Sequence, residues 1–220
     1  MSIRSVPSAC RLPVSRRRPG RGGGFTMIEL VVVLVITGIL GAAAVGRYFD
    51  NSVFEAREYA DQVRAIIRYG QKVAVAQNRP IYVIADGNRF ALCSAPVCTL
   101  ANAVATPAGS NSGSTSSRAQ CRINGDYVAT WMCEAPPAGT LIAGNSANEV
   151  GTNGYFYFDA LGRPYARADA AKIAANNPAG APSTFGVAAG QAALQPLNIT
   201  ITSAASNVVI VVQPETGNVF

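Results

Sequence analysis

The sequence predicts an α+β chain in which a long N-terminal α-helix, with a membrane half and an amphipathic half, precedes a small, mostly antiparallel β head. Three observations predict it. Residues 25–45 form an apolar run with one charge, Glu29, and no proline. Apolar or small residues then recur at alternating spacings of 4 and 3 from Phe49 to Ala74. After Pro80 the helical period gives way to short alternating runs separated by Gly, Asn and Asp.

Residues 1–24 hold six arginines, three prolines and four glycines, with no acid and no apolar periodicity. They read as a basic, cytoplasm-facing leader that is removed. The net charge of +6 resides there, because the 12 basic residues from Phe25 onward are matched by 12 acidic ones. The basic balance is thus no argument for a nucleic-acid partner. The run 25–45 rises about 31 Å as a helix, close to the bilayer hydrocarbon thickness. It reads as a transmembrane segment.

Residues 46–79 continue as the amphipathic half. Phe49, Val53, Ala56, Ala60, Val63, Ile67, Gly70, Ala74 and Gln77 line one stripe. Asp61 with Arg64 is an attractive neighbour pair, and Arg64 with Arg68 a repulsive one. Acids dominate the early part and bases the later part, as the helix dipole favours. Pro80 closes the element, giving one helix from Phe25 to about Asn78, roughly 80 Å long.

The head is residues 80–220. IYVIA (81–85), DGN and RFALC (89–93) read as a hairpin. Residues 99–119, rich in Ser, Ala, Gly, Thr and Asn, read as a long exposed loop. YVATWMC (127–133) alternates like a strand, TLIA (140–143) is another, and GYFYFDALGRPY (154–165) is an aromatic strand entering a turn. Residues 168–196 read as irregular, and LNITIT (197–202) with NVVIVVQ (207–213) as a final hairpin. The alternating aromatics at 155–158 read as core.

The chain has no histidine, which removes His-dependent nucleophile systems and His-ligated metal sites. It carries no paired carboxylates at helical spacing in the head and no phosphate loop; Gly22-Gly23-Gly24 lacks the lysine and the preceding strand of one. The reading is therefore not an enzyme, with no cofactor and no metal. Apart from Cys10 in the leader, the cysteines are Cys93, Cys98, Cys121 and Cys133, an even set after an export-like signal. Disulfides in an oxidising compartment are favoured over a metal site. Four cysteines allow three pairings and the sequence does not choose among them; short-loop closure leans toward Cys93–Cys98 and Cys121–Cys133.

Glu29 needs an explanation, since a carboxylate deep in a bilayer costs about 2.5–3.5 kcal/mol. One competing reading is a plain signal peptide cleaved near Ala42-Ala43-Ala44. The charge in the apolar core, the glycines ahead of it and the stripe running on past Ala44 count against that. Another is a signal anchor with Glu29 snorkelling to the interface. A third is that a cation lies close by: cleavage after Gly24 would turn the amide of Phe25 into an amino group within reach of Glu29 or of a neighbouring subunit's.

Gly24-Phe25-Thr26-Met27-Ile28-Glu29-Leu30 resembles the prepilin peptidase site of type IV pilins and type II secretion pseudopilins. The resemblance implies the pilin fold, cleavage by prepilin peptidase between Gly24 and Phe25, N-methylation of Phe25, and a requirement for Glu29 in filament assembly. It implies as partners the peptidase, other pilins or pseudopilins through their N-terminal helices, an inner-membrane assembly platform and the lipid bilayer. The implied location is the bacterial inner membrane, single-pass with the head in the periplasm, and then a pilus or pseudopilus. Two features depart from the family. The leader is long for the family, which leaves open a start codon downstream of Met1, and Gly46 stands where many pilins have a helix proline.

The run Ile66-Ile67-Arg68-Tyr69-Gly70-Gln71-Lys72-Val73-Ala74, the turn Phe158-Asp159-Ala160-Leu161-Gly162-Arg163-Pro164 and Thr216-Gly217 resemble minor pseudopilins of the GspH/FimT type. Arg47-Tyr48-Phe49-Asp50 with Phe54-Glu55-Ala56-Arg57 resembles minor pilins of mannose-sensitive haemagglutinin (MSHA) type pili. These imply a minor subunit that helps initiate or assemble a type II secretion pseudopilus or a type IV, MSHA-like pilus. The alternative is an adhesive or DNA-uptake minor pilin whose head binds a ligand. After residue 80 the cations are Arg89, Arg118, Arg122, Arg163, Arg167 and Lys172, which form no run, so no nucleic acid is expected.

Overall fold

The computed structural model describes residues 25–48, 52–170, 183–185, 194–204 and 206–220. It is α+β, and the chain divides into two compact units, one N-terminal and one from Asp50 onward. The first contains α1 (Met27–Tyr48), of 22 residues. Leu, Val and Ile surround its axis, so it has no polar face, and its described side chains, through Ala42, are all exposed within its unit. Thr37 satisfies its hydroxyl by donating to the Val33 carbonyl at 2.8 Å.

The second unit begins with α2 (Ser52–Gln77). The sequence predicts one continuous helix to Asn78, but residues 49–51, where α1 and α2 would join, lie outside the described residues. From Ala56 to Ala74 the predicted stripe is buried, and a second row, Tyr59, Ile66 and Val73, is buried beside it. The apolar face is thus wider than the 4,3 spacing alone indicated. The last turn carries no basic residue, so the expected basic end stops at Lys72, one turn early.

Asn78, more than Pro80, ends the helix. It adopts φ 48°, its N–H donates to Val75 O, and Arg79 N–H donates to Ala74 O at 3.2 Å. These two bonds form a Schellman cap with asparagine in the left-handed position.

Two sheets cover α2. The five-stranded sheet has the order β5-β2-β1-β7-β8, with β1 (Ile81–Ala85), β2 (Phe90–Cys93), β5 (Cys133–Glu134), β7 (Tyr155–Phe158) and β8 (Pro164–Ala166). The three-stranded sheet has the order β10-β9-β6, with β6 (Leu141–Gly144), β9 (Leu197–Ser203) and β10 (Ser206–Val212). The pairings within both sheets are antiparallel.

Strand β1 is buried at every position, because both faces of its sheet are covered. Ile81, Val83 and Ala85 join Phe90, Leu92, Phe156 and Phe158 against α2. Tyr82 and Ile84 join Ala91, Cys93, Trp131, Tyr157 and Tyr165 in an outer layer. Both predicted hairpins form, as does the aromatic strand, which returns through the turn at 159–163 as β8.

Two sequence readings need correction. Residues 99–119 are not simply an exposed loop: Val104 is buried, Ala103 and Ala105 bridge to Cys93 and Trp131, and Thr115–Gln120 forms helix α3. The serines that suggested a loop close around one carboxylate. Glu134 accepts from Ser112 N–H (2.6 Å) and from the Ser117 hydroxyl (2.8 Å), and Ser114 caps α3 by accepting from Ser117 N–H (3.1 Å).

Residues 127–133 are not one strand. Tyr127 ends β4 (Asp126–Tyr127), paired with β3 (Arg122–Ile123), whereas Cys133 begins β5 in another sheet, with a turn at Ala129–Thr130 between them. Indole burial breaks the alternation: Trp131 is 1% exposed and donates to Leu92 O at 2.9 Å. The segment 168–196, read as irregular, falls largely outside the described residues, and its described parts are held by side-chain contacts. A 3₁₀ turn spans Arg167–Asp169, the buried Asp169 accepts from Thr184 N–H at 2.7 Å, and Phe185 packs on Phe156.

One side chain joins two turns to α2. The Gln71 amide donates to Gly162 O (2.8 Å) and to Thr216 O (2.7 Å). Gly162 and Gly217 both have positive φ, and a Cβ on Gly217 would lie 2.7 Å from Gln71 Nε2 and 2.8 Å from Gly162 O. Gly217→Ala is therefore expected to destabilise the head by about 2–3 kcal/mol, clash added to backbone strain. Gly109→Ala has positive φ but open space around it and should cost only roughly 1–2 kcal/mol. Urea unfolding of the two variants checks the difference.

Candidate functional site

The N-terminal segment offers the sequence-predicted site. Gly24 and the leader lie outside the described residues. Phe25 and Thr26 precede α1, whose first residue is Met27, so the helix starts two residues later than predicted. Thr26 is its cap: the Oγ1 atom accepts from Glu29 N–H at 3.3 Å, and the Thr26 carbonyl receives Glu29 N–H (3.0 Å) and Leu30 N–H (3.2 Å). Thr-x-x-Glu at a helix start is a capping signal that the sequence reading missed.

The cap serves the Glu29 backbone and leaves its carboxylate, in the first turn at the positive end of the helix, without an ion pair or hydrogen bond among the described residues. The neighbouring side chains are apolar and exposed: Phe25 is 74% exposed, Met27 86% and Ile28 73%. The site is thus a single acid on an apolar rod, beside the bond where cleavage would create an amino group.

The sequence places a bilayer span over 25–45. Among the described residues, no helix is long and apolar enough to cross a membrane. The side chains of α1 are described only as far as Ala42.

In the head, Cys93 bonds to Cys98 and Cys121 to Cys133, with Cα separations of 5.6 and 5.7 Å. Cys93, Cys121 and Cys133 lie in the outer layer around Trp131, and Cys98 packs against it. The bonds pin the 94–97 segment and α3 to the sheet edge.

Sequence order concealed another grouping. Arg89, Arg122 and Arg167, far apart in the chain, line one cleft of about 480 Å³ with Asp86, Asn153 and Tyr155. Arg89 pairs with Asp86 (3.0 Å) and lies 5.3 Å over the Trp131 ring. Arg167 donates to Asn153 O (2.8 Å) and lies 5.4 Å over the Tyr155 ring. Arg118 and Arg163 lie elsewhere, and Lys172 falls outside the described residues. The predicted core role of residues 155–158 is accurate for Phe156, Tyr157 and Phe158, while Tyr155 reaches the cleft wall.

Buried phenols add a pH dependence. Burial, and then the negative charges of Glu134 and Asp86, push the Tyr59 phenol well above its ordinary value. Burial, followed by Asp169, raises Tyr157.

The prokaryotic N-terminal methylation motif matches residues 21–45. The type IV narrow pilus major component PilA5 of Thermus thermophilus is 39% identical over 61 residues, which are 28% of this chain and 53% of that protein. The chain therefore spans about half the length of the curated relative it matches. Two crystal structures of the type IV minor pilin FimU of Pseudomonas aeruginosa align with TM-scores of 0.40 and 0.38, at 14% and 13% identity. They cover 76% and 74% of this chain and 87% and 90% of theirs.

Two measurements check the head. Peptide mapping without reduction should link Cys93 to Cys98 and Cys121 to Cys133, and serine pairs should cost about 2 and 3 kcal/mol respectively, the longer loop more. The raised tyrosines favour the folded state fully below the unfolded phenol value of about 10, and that stability is lost as pH rises through their folded values. Tyr59 and Tyr157 should therefore give phenolate absorbance only together with loss of folded-state circular dichroism.

Proposed function

We propose that this chain, a member of the type IV pilin and pseudopilin superfamily by its N-terminal segment, is a minor subunit that helps initiate or assemble a type II secretion pseudopilus or a type IV, MSHA-like pilus. The observation that carries the reading is Glu29, capped through its backbone but free at its carboxylate, in the first turn of an apolar helix preceded by Gly24-Phe25.

Prepilin peptidase cuts after Gly24, removing the six arginines of the leader, and methylates Phe25. The new terminus is a cation at the N-terminal end of α1. In the bilayer this charge and Glu29 neutralise one another, within a subunit or across two, so that neither is buried alone. The residues 25–45 hold the protein in the bacterial inner membrane with its head in the periplasm, where the two disulfides are stable. On assembly α1 leaves lipid and packs among the helices of other pilins at the assembly platform. Offsets that supply no cation to Glu29 are penalised, so the acid sets the register between subunits.

Mass spectrometry of the mature protein should find N-methylated Phe25 as its first residue. A terminus after Ala44, or a retained leader in cells with active peptidase, overturns the reading. Glu29→Ala should leave the amount in the membrane fraction unchanged and lower the amount in sheared filaments at least about tenfold, the factor that corresponds to roughly 1.4 kcal/mol. Normal incorporation of that variant would remove the pairing role.

A further inference from the structure

The cleft in the head, which nothing in the filament reading uses, has the composition of an anion-binding site. We propose that it binds an acidic saccharide, with Arg122 and Arg167 receiving a carboxylate or sulfate carried on a sugar ring. The inference is independent of the N-terminal segment.

Charge is the first argument. Three arginines and one acidic residue line the cleft, and the carboxylate of that residue, Asp86, is committed to Arg89 and to the hairpin turn, where its Oδ1 accepts Asn88 N–H (3.0 Å) and Arg89 N–H (3.2 Å). Neither Arg122 nor Arg167 has a carboxylate partner among the described residues. Two arginines without a carboxylate partner therefore line a concave site, where solvent screens charge less than on a flat surface.

Preorganisation is the second. Arg167 is held by the Asn153 carbonyl, and Asn153 adopts φ 58°. Its guanidinium also rests on Tyr155. These restraints fix the side chain without neutralising it. Arg89, held by Asp86, Gln120 O and the Trp131 ring, supports the wall from behind. The cleft is set by the fold of the head and lies within one compact unit.

Size and shape give the ligand class. A cavity of about 480 Å³ greatly exceeds what an inorganic anion fills and is in the range of small-molecule sites. Its rim is apolar: Pro96 and Val97 line it, Val97 is 74% exposed, and the Cys93–Cys98 bond fixes this segment. A sugar ring presents a C–H face for such a rim and hydroxyls for Asn153. A nucleobase needs an open aromatic face. Tyr155 does not offer one, because Arg167 lies over it and Tyr82 packs edge-on at 5.8 Å.

Isothermal titration of the full chain in detergent micelles tests this, with tetragalacturonate as the carboxylate probe, a κ-carrageenan tetrasaccharide, which carries sulfate and no carboxylate, as the sulfate probe, maltotetraose as the neutral one and a single-stranded oligonucleotide of matched charge. At least one acidic saccharide should bind saturably and at least about tenfold more tightly than maltotetraose, and the tighter acid identifies the group. Arg122→Gln and Arg167→Gln should each weaken it about tenfold, as expected for loss of a charge-assisted contact. Arg118→Gln, whose side chain donates to Gly113 O outside the cleft, should leave it unchanged. Arg122 is exposed, so its variant keeps the fold even if Arg167→Gln does not. Equal binding of acidic and neutral sugars, equal loss in Arg118→Gln and Arg122→Gln, or tighter binding of the oligonucleotide would each overturn the proposal.

Discussion

The head depends on covering the apolar face of α2. Ala56, Tyr59, Ala60, Val63, Ile66, Ile67, Val73 and Ala74 are all at most 8% exposed, and residues of both sheets complete their burial. Apolar burial of this kind is favourable by roughly 25 cal/mol per Å². The small residues matter as much as the large ones. Gly70 faces Leu92 so closely that a Cβ there would lie 2.9 Å from its Cδ2 atom, which lets the central strands approach the helix axis. The two sheets need not pair with each other by backbone bonds, because the helix supplies a common surface for both.

Features written in local pattern were legible from the sequence. The 4,3 spacing identified the buried row of α2, and the DGN turn located the first hairpin because Asp86 can accept two backbone N–H groups while Gly87 takes φ 87°. Strand β1, continuously apolar, was legible as a strand, but its burial on both faces depends on residues far along the chain, Trp131 and Tyr157 among them. Tertiary demand overrode pattern at two places. Trp131 turned a would-be strand into two fragments by requiring both a cavity and an acceptor, and Glu134 organised serines that composition alone assigns to a loop. Neither requirement has a periodicity that sequence inspection could detect.

Legibility of the two sites differs in the same way. Glu29 stands out because it violates its surroundings, and its capping threonine is three residues away. The arginine cleft brings together a hairpin turn, a short two-stranded sheet and the segment after β8, so linear spacing had no bearing on it. The absence of a cationic run is a sound argument against an extended electrostatic surface and no argument at all about a cavity.

Both cross-links belong to the outer layer, while among the described residues the core between α2 and the sheets contains no cysteine. The head thus has one layer secured by covalent bonds and another secured by packing and hydrogen bonds such as those of Gln71. Thiol reagents would erode the first and spare the second, leaving the helix seated on its sheets while Trp131 and its neighbours loosen. Oxidative maturation in such a head completes a surface and does not create the scaffold beneath it.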